Sequence, residues 1–220
     1  MSRELIFDRV RKALKARDDD GRAQATKAWL AAPPQHPLPD RAKAAGEAAL
    51  KAFSDHLEAQ GVSITRVAKA EAVPKAVEAF LSNTHPGEPL VAGTDSWLAA
   101  LPWAAAKLTL KPWRPDEIPV AGLSRAVAGI AETGTLVLAS CPDNPATLNY
   151  LPETHVAIIE AANIKGSMEQ AVAMAREASK PYAVPRTLAL VSGASRTADV
   201  GGKLVRGAHG PKRLAVIIVG

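Results

Sequence analysis

The sequence predicts an α/β protein with a mostly parallel sheet flanked by helices and an N-terminal helical arm. Two observations carry this prediction. From about residue 41 onward, short apolar segments of strand length alternate with helical segments, which is typical of a parallel sheet covered on both faces. Before that point, a charged helical segment is followed by four prolines within residues 31–40. We therefore expect an arm and a proline-rich linker over residues 1–40 and one α/β domain over residues 41–220.

The arm is predicted from a single apolar stripe. Ile6, Val10 and Leu14 recur at four-residue spacing, which places them on one face of a helix. The segment 18–21 (DDDG) is expected to end this helix. The helix is either an arm that packs on the main body or on another subunit, or an ordinary capping helix, and the sequence leaves these alternatives open.

The domain is predicted to contain five helices and eight strands that alternate along the chain. Helices are expected at residues 41–59, 74–81, 95–100, 167–178 and 197–205, and strands at 62–67, 90–92, 107–110, 126–131, 135–139, 155–160, 187–191 and 214–219. Gly134 favours a tight hairpin between the strands 126–131 and 135–139. Ser167 and Gln170 form a capping-box pattern at the start of one helix.

Length and composition limit the functions that the chain can have. Its 220 residues are 47% apolar, enough for one buried core. No apolar run reaches the ~18 residues that a membrane-spanning helix needs, and the N-terminus has no apolar leader, so we expect a cytoplasmic protein without a membrane segment. Cys141 is the only cysteine and is expected to be a buried structural residue. An iron–sulfur cluster held by this chain alone is excluded, because such clusters need about four thiolates. No dinucleotide fingerprint is present, so we predict no cofactor.

The positive charge is concentrated near the C-terminus. The chain has a net charge of +5, and residues 186–220 hold six basic residues against Asp199 alone. Such a region favours a small anion, a nucleic acid or an acidic partner. Only 4% of residues are aromatic and no recognition-helix motif is present, so we expect no nucleic-acid partner.

The segment 188–200 (LALVSGASRTADV) gives the most specific indication of a binding site. A predicted strand ends at Val191, and the loop after it is small and polar: Ser192, Gly193, Ser195, Arg196, Thr197 and Asp199. In an open α/β sheet such a loop lies where ligands bind, and backbone amides at a helix N-terminus with an arginine suit a carboxylate or phosphate. Alternatively, Ser195 or Thr197 only caps the predicted helix, and Arg196 pairs with Asp199 at the surface.

Two further segments complete the candidate site. In 131–140 (AETGTLVLAS), Glu132 is either a functional carboxylate or a turn residue, and Thr133, Gly134 and Thr135 are its neighbours. In 207–214 (GAHGPKRL), Gly210 follows His209, which either acts in the site or only forms local hydrogen bonds. The histidines show no metal-ligand spacing, so we predict no metal. We expect Glu132 and His209 to face one pocket with the Ser195–Thr197 loop.

Three short strings, called the first, second and third motif in chain order, together resemble a known family. AETGT (131–135), SGASRTAD (192–199) and GAHGP (207–211) occur in the order and spacing of LutC-type lactate-utilisation proteins, which belong to the LUD-domain family. The resemblance is strongest over about residues 120–220. Ala194 stands where the family usually has proline, and Ala208 where it often has valine.

The resemblance implies a fold similar to that of NagB, RpiA and CoA transferases. It also implies a non-redox subunit that binds a small anionic ligand or carboxylate in a system oxidising L-lactate to pyruvate, beside iron–sulfur partner proteins. The alternative is a stand-alone enzyme acting on an acyl, CoA or sugar-phosphate substrate with Glu132 as base or nucleophile, which rests on analogy of fold alone.

Overall fold

A computed structural model describes residues 3–13, 20–32, 37–180, 185–200 and 202–220. The chain divides into two compact units, Met1–Pro37 and Leu38–Gly220.

The described residues of the first unit form two helices, α1 (Arg3–Ala13) and α2 (Asp20–Ala31). α1 confirms the predicted N-terminal helix, although Leu14 and residues 18–19 lie outside the described residues; the rest of the segment 18–21 begins α2. Its apolar stripe is about half exposed, with Ile6 at 49% and Val10 at 46%. α2 was not predicted, because its sequence has no clear apolar stripe.

The second unit contains the remaining elements. Its helices are α3 (Gly46–Ala59), α4 (Val73–Thr84), α5 (Ser96–Ala99) and α6 (Met168–Ala178). Its strands are β1 (Ser63–Val67), β2 (Leu90–Ala92), β3 (Leu110–Pro112), β4 (Ala121–Arg125), β5 (Ala128–Ile130), β6 (Thr135–Ala139), β7 (Thr154–Glu160), β8 (Ile164–Lys165), β9 (Leu188–Val191), β10 (Arg196–Val200), β11 (Lys203–Arg206) and β12 (Arg213–Val219).

The main sheet has six strands in the order β1-β12-β7-β4-β2-β3, and every pair in it is parallel. Its central strands are buried on both faces. On one face, Ile159 packs with Phe53 of α3, and on the other, Ile158 packs with Leu81 of α4. This arrangement confirms the predicted α/β fold with a mostly parallel sheet. Among the described residues, no helix is long and apolar enough to cross a membrane.

A second sheet of four strands, in the order β8-β5-β6-β9, lies on the α3 side of the molecule. β5 and β6 form the predicted antiparallel hairpin. α6 covers this sheet through Ala171 and Ala175, which pack with β5 and β6. The predicted capping box is present, because Ser167 accepts a hydrogen bond from the Gln170 backbone and the Gln170 side chain accepts one from the Ser167 backbone.

The predicted helix at residues 197–205 is wrong. β10 and β11 form an antiparallel hairpin there, in which Thr197 pairs with Val205. The physical reason is local: Gly201 and Gly202 interrupt the segment, and each glycine costs a helix interior about 1 kcal/mol relative to alanine. Gly202 has a φ of +72°, which suits the turn of a hairpin.

Three smaller expectations also fail. β4 was missed, because its sequence AGLSR has little of the β-branched or aromatic content that marks strands. The strand expected at 107–110 begins only at Leu110. Cys141 is exposed rather than buried, because it lies in the loop after β6 and not within the sheet.

Candidate functional site

The turn between β5 and β6 is fixed by close packing. Gly134 has a φ of +60°, a left-handed conformation that suits glycine. A Cβ atom at this position would lie 2.4 Å from the Cβ of His56 on α3. The first motif therefore keeps a glycine where the backbone approaches a helix and needs positive φ.

Glu132 in the same turn is held by structural partners. Its side chain is 11% exposed, and its Oε2 lies 3.6 Å from Nε of Arg41. Its Oε1 accepts a hydrogen bond of 3.1 Å from the backbone N–H of Met168, the first residue of α6. A carboxylate at this point stabilises the positive end of the helix dipole. These contacts favour the turn-residue interpretation of Glu132.

A chain of hydroxyl groups links the first motif to the second. The Oγ1 atoms of Thr133 and Thr135 are 2.7 Å apart, and Thr135 Oγ1 is 2.6 Å from Ser192 Oγ. Thr135 is buried, whereas Ser192 is exposed. The pairing of β6 with β9 makes this contact, since it aligns Leu136 with Val191, the residue before Ser192.

The second motif contacts the residue that follows the end of α3. A Cβ atom on Gly193 would lie 3.1 Å from the Cβ of Gln60. Arg196 is exposed, and its Nη2 donates a hydrogen bond of 2.5 Å to the backbone carbonyl of Gln60. A guanidinium has five N–H donors, so this bond orients the group without using all of them.

The second and third motifs are hydrogen-bonded to each other. The Ser195 N–H donates to the Pro211 carbonyl at 2.8 Å, and the Ser195 carbonyl accepts from the Gly207 N–H at 3.0 Å. Ser195 Oγ accepts from the backbone N–H of His209 at 3.2 Å. The His209 side chain is exposed. Its contact with Ser195 runs through the backbone amide, so the pair is not a serine–histidine dyad.

We use the name motif surface for the following exposed or half-buried residues of the three motifs: Thr133, Ser192, Gly193, Ser195, Arg196, Thr197, His209 and Gly210. Its hydroxyl groups, backbone amides and guanidinium are of the kind that bind a small anion. The side chain of Asp199 lies outside the described residues.

Two premises of the predicted site are wrong. No helix begins at Thr197, so the loop offers no helix N-terminus to an anion. The strand before this loop, β9, does not belong to the parallel sheet, because it pairs antiparallel with β6 in the second sheet. The third motif leads into β12 and so lies at the amino end of that parallel strand. Glu132 lines neither the cavity at Val127 and Arg186 nor the cavity at Ile118 and His209. A single pocket that takes in both side chains stays a prediction.

Sequence reasoning missed a buried polar cluster between β4 and β7. Ser124 Oγ lies 2.6 Å from Nε2 of His155 and donates a hydrogen bond of 3.1 Å to Oδ1 of Asn149. All three residues are buried. Burial lowers the pKa of His155 from 6.5 to about 4, because the charged imidazolium would lose its hydration. The only signal in the sequence is a histidine at the start of a buried strand, and this histidine has no metal-ligand spacing to the others.

A charged cluster lies at the carboxyl ends of the main sheet. Arg125 at the end of β4 is 3.0 Å from Asp95 and 3.6 Å from Glu160 at the end of β7. Its guanidinium also stacks over the Trp97 ring, 5.3 Å from the centroid. Two carboxylates thus neutralise this arginine. Among the described residues, no group of three or more His, Cys, Asp or Glu could hold a metal ion.

Comparison with known proteins gives the following relatives. A lactate utilization protein C from Geobacillus kaustophilus is 33% identical over 127 residues, covering 53% of this chain and 53% of that protein. The lactate utilization protein C of Deinococcus radiodurans is 29% identical over 200 residues, covering 85% of this chain and 86% of that protein. An uncharacterized protein of Neisseria meningitidis is 37% identical over 99 residues, covering 45% of this chain and 42% of that protein. The chain thus spans about half the length of two of these three relatives.

The fold has a counterpart among solved structures. The crystal structure of a DUF162 family protein from Deinococcus radiodurans matches with a TM-score of 0.56 and 26% identity, covering 84% of this chain and 100% of that chain. The LUD domain family model matches residues 120–219. That range begins just before β4, contains all three motifs and ends with β12. Residues 120–219 of this chain are therefore similar to the LUD domain family.

Proposed function

We propose that this chain is the non-redox component of a system that oxidises L-lactate to pyruvate. The relatives named lactate utilization protein C support the pathway. The single cysteine supports a non-redox role, since this chain cannot supply the thiolates of a cluster by itself. The electrons from lactate then pass to iron–sulfur partner proteins that bind this chain.

The ligand we propose is a small carboxylate, bound at the motif surface. The observation that carries this proposal is the mutual hydrogen bonding of the second and third motifs, which keeps Ser195, Arg196 and His209 together on an exposed face of a basic region. Arg196 supplies the charge-assisted hydrogen bonds, and the hydroxyls and amides beside it orient the carboxylate. Glu132 holds the start of α6 through its hydrogen bond with the Met168 N–H.

The alternative of a stand-alone enzyme with Glu132 as base or nucleophile receives less support. Both carboxylate oxygens of Glu132 have a partner, Met168 on one side and Arg41 on the other. A base or nucleophile needs an oxygen that can reach the substrate. No observation favours this alternative over the first proposal.

Deletion of the gene in the organism that encodes it tests the proposed function. Cells without the gene should lose growth on L-lactate as the only carbon source and keep growth on pyruvate, because only the oxidation step is missing. Partner proteins should co-purify with a tagged chain from lactate-grown cells. The sample should contain iron and acid-labile sulfide in proportion to the amount of these partner proteins. Normal growth of the deletion strain on L-lactate would refute the proposal.

A further inference from the structure

A second candidate site, separate from the motif surface, lies beside the carboxyl ends of β2 and β4. It is a cavity of about 570 Å³ between the end of β6, the loop after it and the end of α6. No residue of the motif surface lines it. Its volume is within the roughly 300–1,000 Å³ of ordinary small-molecule sites.

The cavity lies next to the switch point of the main sheet, where the order in which the chain adds strands reverses. β2 and β4 are neighbours. The chain leaves β2 toward the face that buries Leu98 and leaves β4 toward the face that buries Ala126. In open α/β sheets, ligands bind outside the carboxyl ends of strands at such a switch point. Val127 of the cavity wall comes two residues after β4, and Pro145 of the wall would lie 2.9 Å from a Cβ atom on Gly93, the residue after β2.

The loop that forms one wall is held in place before any ligand binds. Thr94 donates a hydrogen bond of 2.6 Å to the Asp143 carboxylate, which fastens the loop to the end of β2. The Asn144 side chain donates to the Ala139 carbonyl at 3.2 Å. Cys141 and Asn144 exchange two backbone hydrogen bonds of 3.3 and 3.1 Å. A wall that is already ordered lowers the entropic cost of binding.

The lining combines an apolar wall with cationic groups. Val127, Ala139, Pro145 and Ala178 are among the apolar residues, and the cations are Lys180 and Arg186. Lys180 is paired with Glu177 at 2.8 Å. The side chain of Arg186 has no hydrogen bond or ion pair with another residue that the structure describes, and it is exposed.

Ser140 adds a polar group whose hydrogen-bond direction is defined. Its Oγ accepts a hydrogen bond of 2.9 Å from the Thr187 N–H. With that lone pair occupied, the hydroxyl proton remains to be donated. A hydroxyl donor and an arginine beside apolar groups suit a molecule with an anionic head and an apolar body.

We propose that this cavity binds a small organic anion with an apolar body, of the class of aliphatic carboxylates with an unsubstituted hydrocarbon chain, with Arg186 and Ser140 on its charged group. This site goes beyond the proposed function and does not depend on it. If hexanoate does not protect Cys141, the proposed role in L-lactate oxidation can still hold. If the growth experiment on L-lactate fails, this cavity can still bind its ligand.

The single thiol of the chain provides the readout. Cys141 lines the cavity and is exposed, so alkylation by iodoacetamide, a neutral reagent, can be followed by intact mass as one adduct. Hexanoate should slow this reaction in a saturable manner. Hexanol, phosphate and L-lactate, which each lack either the charge or the apolar body, should need at least about ten times the concentration for the same protection. Equal protection by any of these three, or no protection by hexanoate, would overturn the proposal.

Two pairs of variants test the location. Arg186→Ala should raise the half-protecting concentration of hexanoate about tenfold or more, because a charge-assisted hydrogen bond is lost, whereas Arg176→Ala, an exposed arginine outside the cavity, should not change it. Ala178→Trp should abolish protection by filling the cavity, whereas Ala173→Trp on an exposed position of the same helix should not. Unchanged protection in Arg186→Ala or in Ala178→Trp would contradict the assigned site.

Discussion

The first motif and the later two differ in burial more than in composition. The turn at residues 131–135 is small and polar, yet Ala131 and Thr135 are buried and Glu132 is 11% exposed. The loops at 192–197 and 207–210 have a similar composition but leave Arg196 and His209 exposed. The difference teaches that strings of similar composition can have different surroundings: the first holds backbone and helix in position, and the later ones leave hydrogen-bond donors exposed.

Among the substitutions that test this comparison, a change of Gly134 should have the largest effect on the free energy of unfolding. Gly134→Ala forces a side chain into a left-handed conformation and against His56, so we expect a loss of about 2–5 kcal/mol in the free energy of unfolding. Gly202→Ala in the exposed β10–β11 hairpin is the matched control. Its φ of +72° is similar, but a Cβ atom there meets nothing within 4 Å, so only about 1–2 kcal/mol should be lost. Urea unfolding of both variants measures this difference, and equal losses would mean that the turn is not fixed by packing.

Substitution of Arg196 tests whether the exposed second motif binds the proposed ligand. Arg196→Ala should weaken binding of L-lactate or pyruvate by about ten- to a hundredfold, because a charge-assisted hydrogen bond of about 1.5–3 kcal/mol is lost. Arg196→Lys should restore only part of the affinity, since lysine lacks the planar fork. Arg114→Ala, also an exposed arginine, is the control. Calorimetric titration measures all four proteins, and equal affinity in Arg196→Ala and wild type would refute the proposed ligand contact.

The contrast between buried and exposed residues also predicts how stability depends on pH, through the buried His155. The unfolded chain protonates this imidazole below pH 6.5, whereas the folded protein does so only below about pH 4. The free energy of unfolding should therefore decrease as the pH falls through this window. Between pH 7.5 and 5 the expected decrease from His155 is about 2 kcal/mol. His155→Gln should remove this part of the pH dependence in urea unfolding, while His209→Gln, an exposed histidine, should keep it. An unchanged dependence in His155→Gln would show that another group is responsible.

Glu132 should have the smallest effect on stability. Glu132→Gln keeps an oxygen for the Met168 N–H but removes the charge at the start of α6, so we expect a loss of roughly 0.3–1 kcal/mol. Glu169→Gln, an exposed acidic residue in the first turn of the same helix, should lose less because it has no such hydrogen bond in the described structure. Thermal unfolding compares the two variants. A larger loss in Glu169→Gln would contradict the structural role of Glu132.

The fold was predictable where the signals are local. The alternation of strands and helices, the hairpin at Gly134 and the capping box at Ser167 each depend on residues close in sequence. The hairpin at 196–206 was not, because a segment with two glycines and weak periodicity takes its structure from its surroundings.

The site was less predictable than the fold, because its geometry depends on strand order. The position of His209 at the amino end of β12 follows only once β12 is known to pair with β1 and β7 in parallel. The contact of Ser124 with His155 spans 31 residues and needs the pairing of β4 with β7. The cavity at Arg186 likewise joins segments that no sequence spacing connects.

Growth of cells that carry single substitutions on the chromosome tests the central claim most directly. The claim is that the exposed motif surface serves L-lactate oxidation, whereas Glu132 serves the structure. With equal protein levels verified by immunoblotting, Arg196→Ala cells should fail to grow on L-lactate and grow normally on pyruvate, and Glu132→Gln cells should grow on both. Loss of growth on L-lactate in Glu132→Gln cells, together with normal growth of Arg196→Ala cells, would contradict this account.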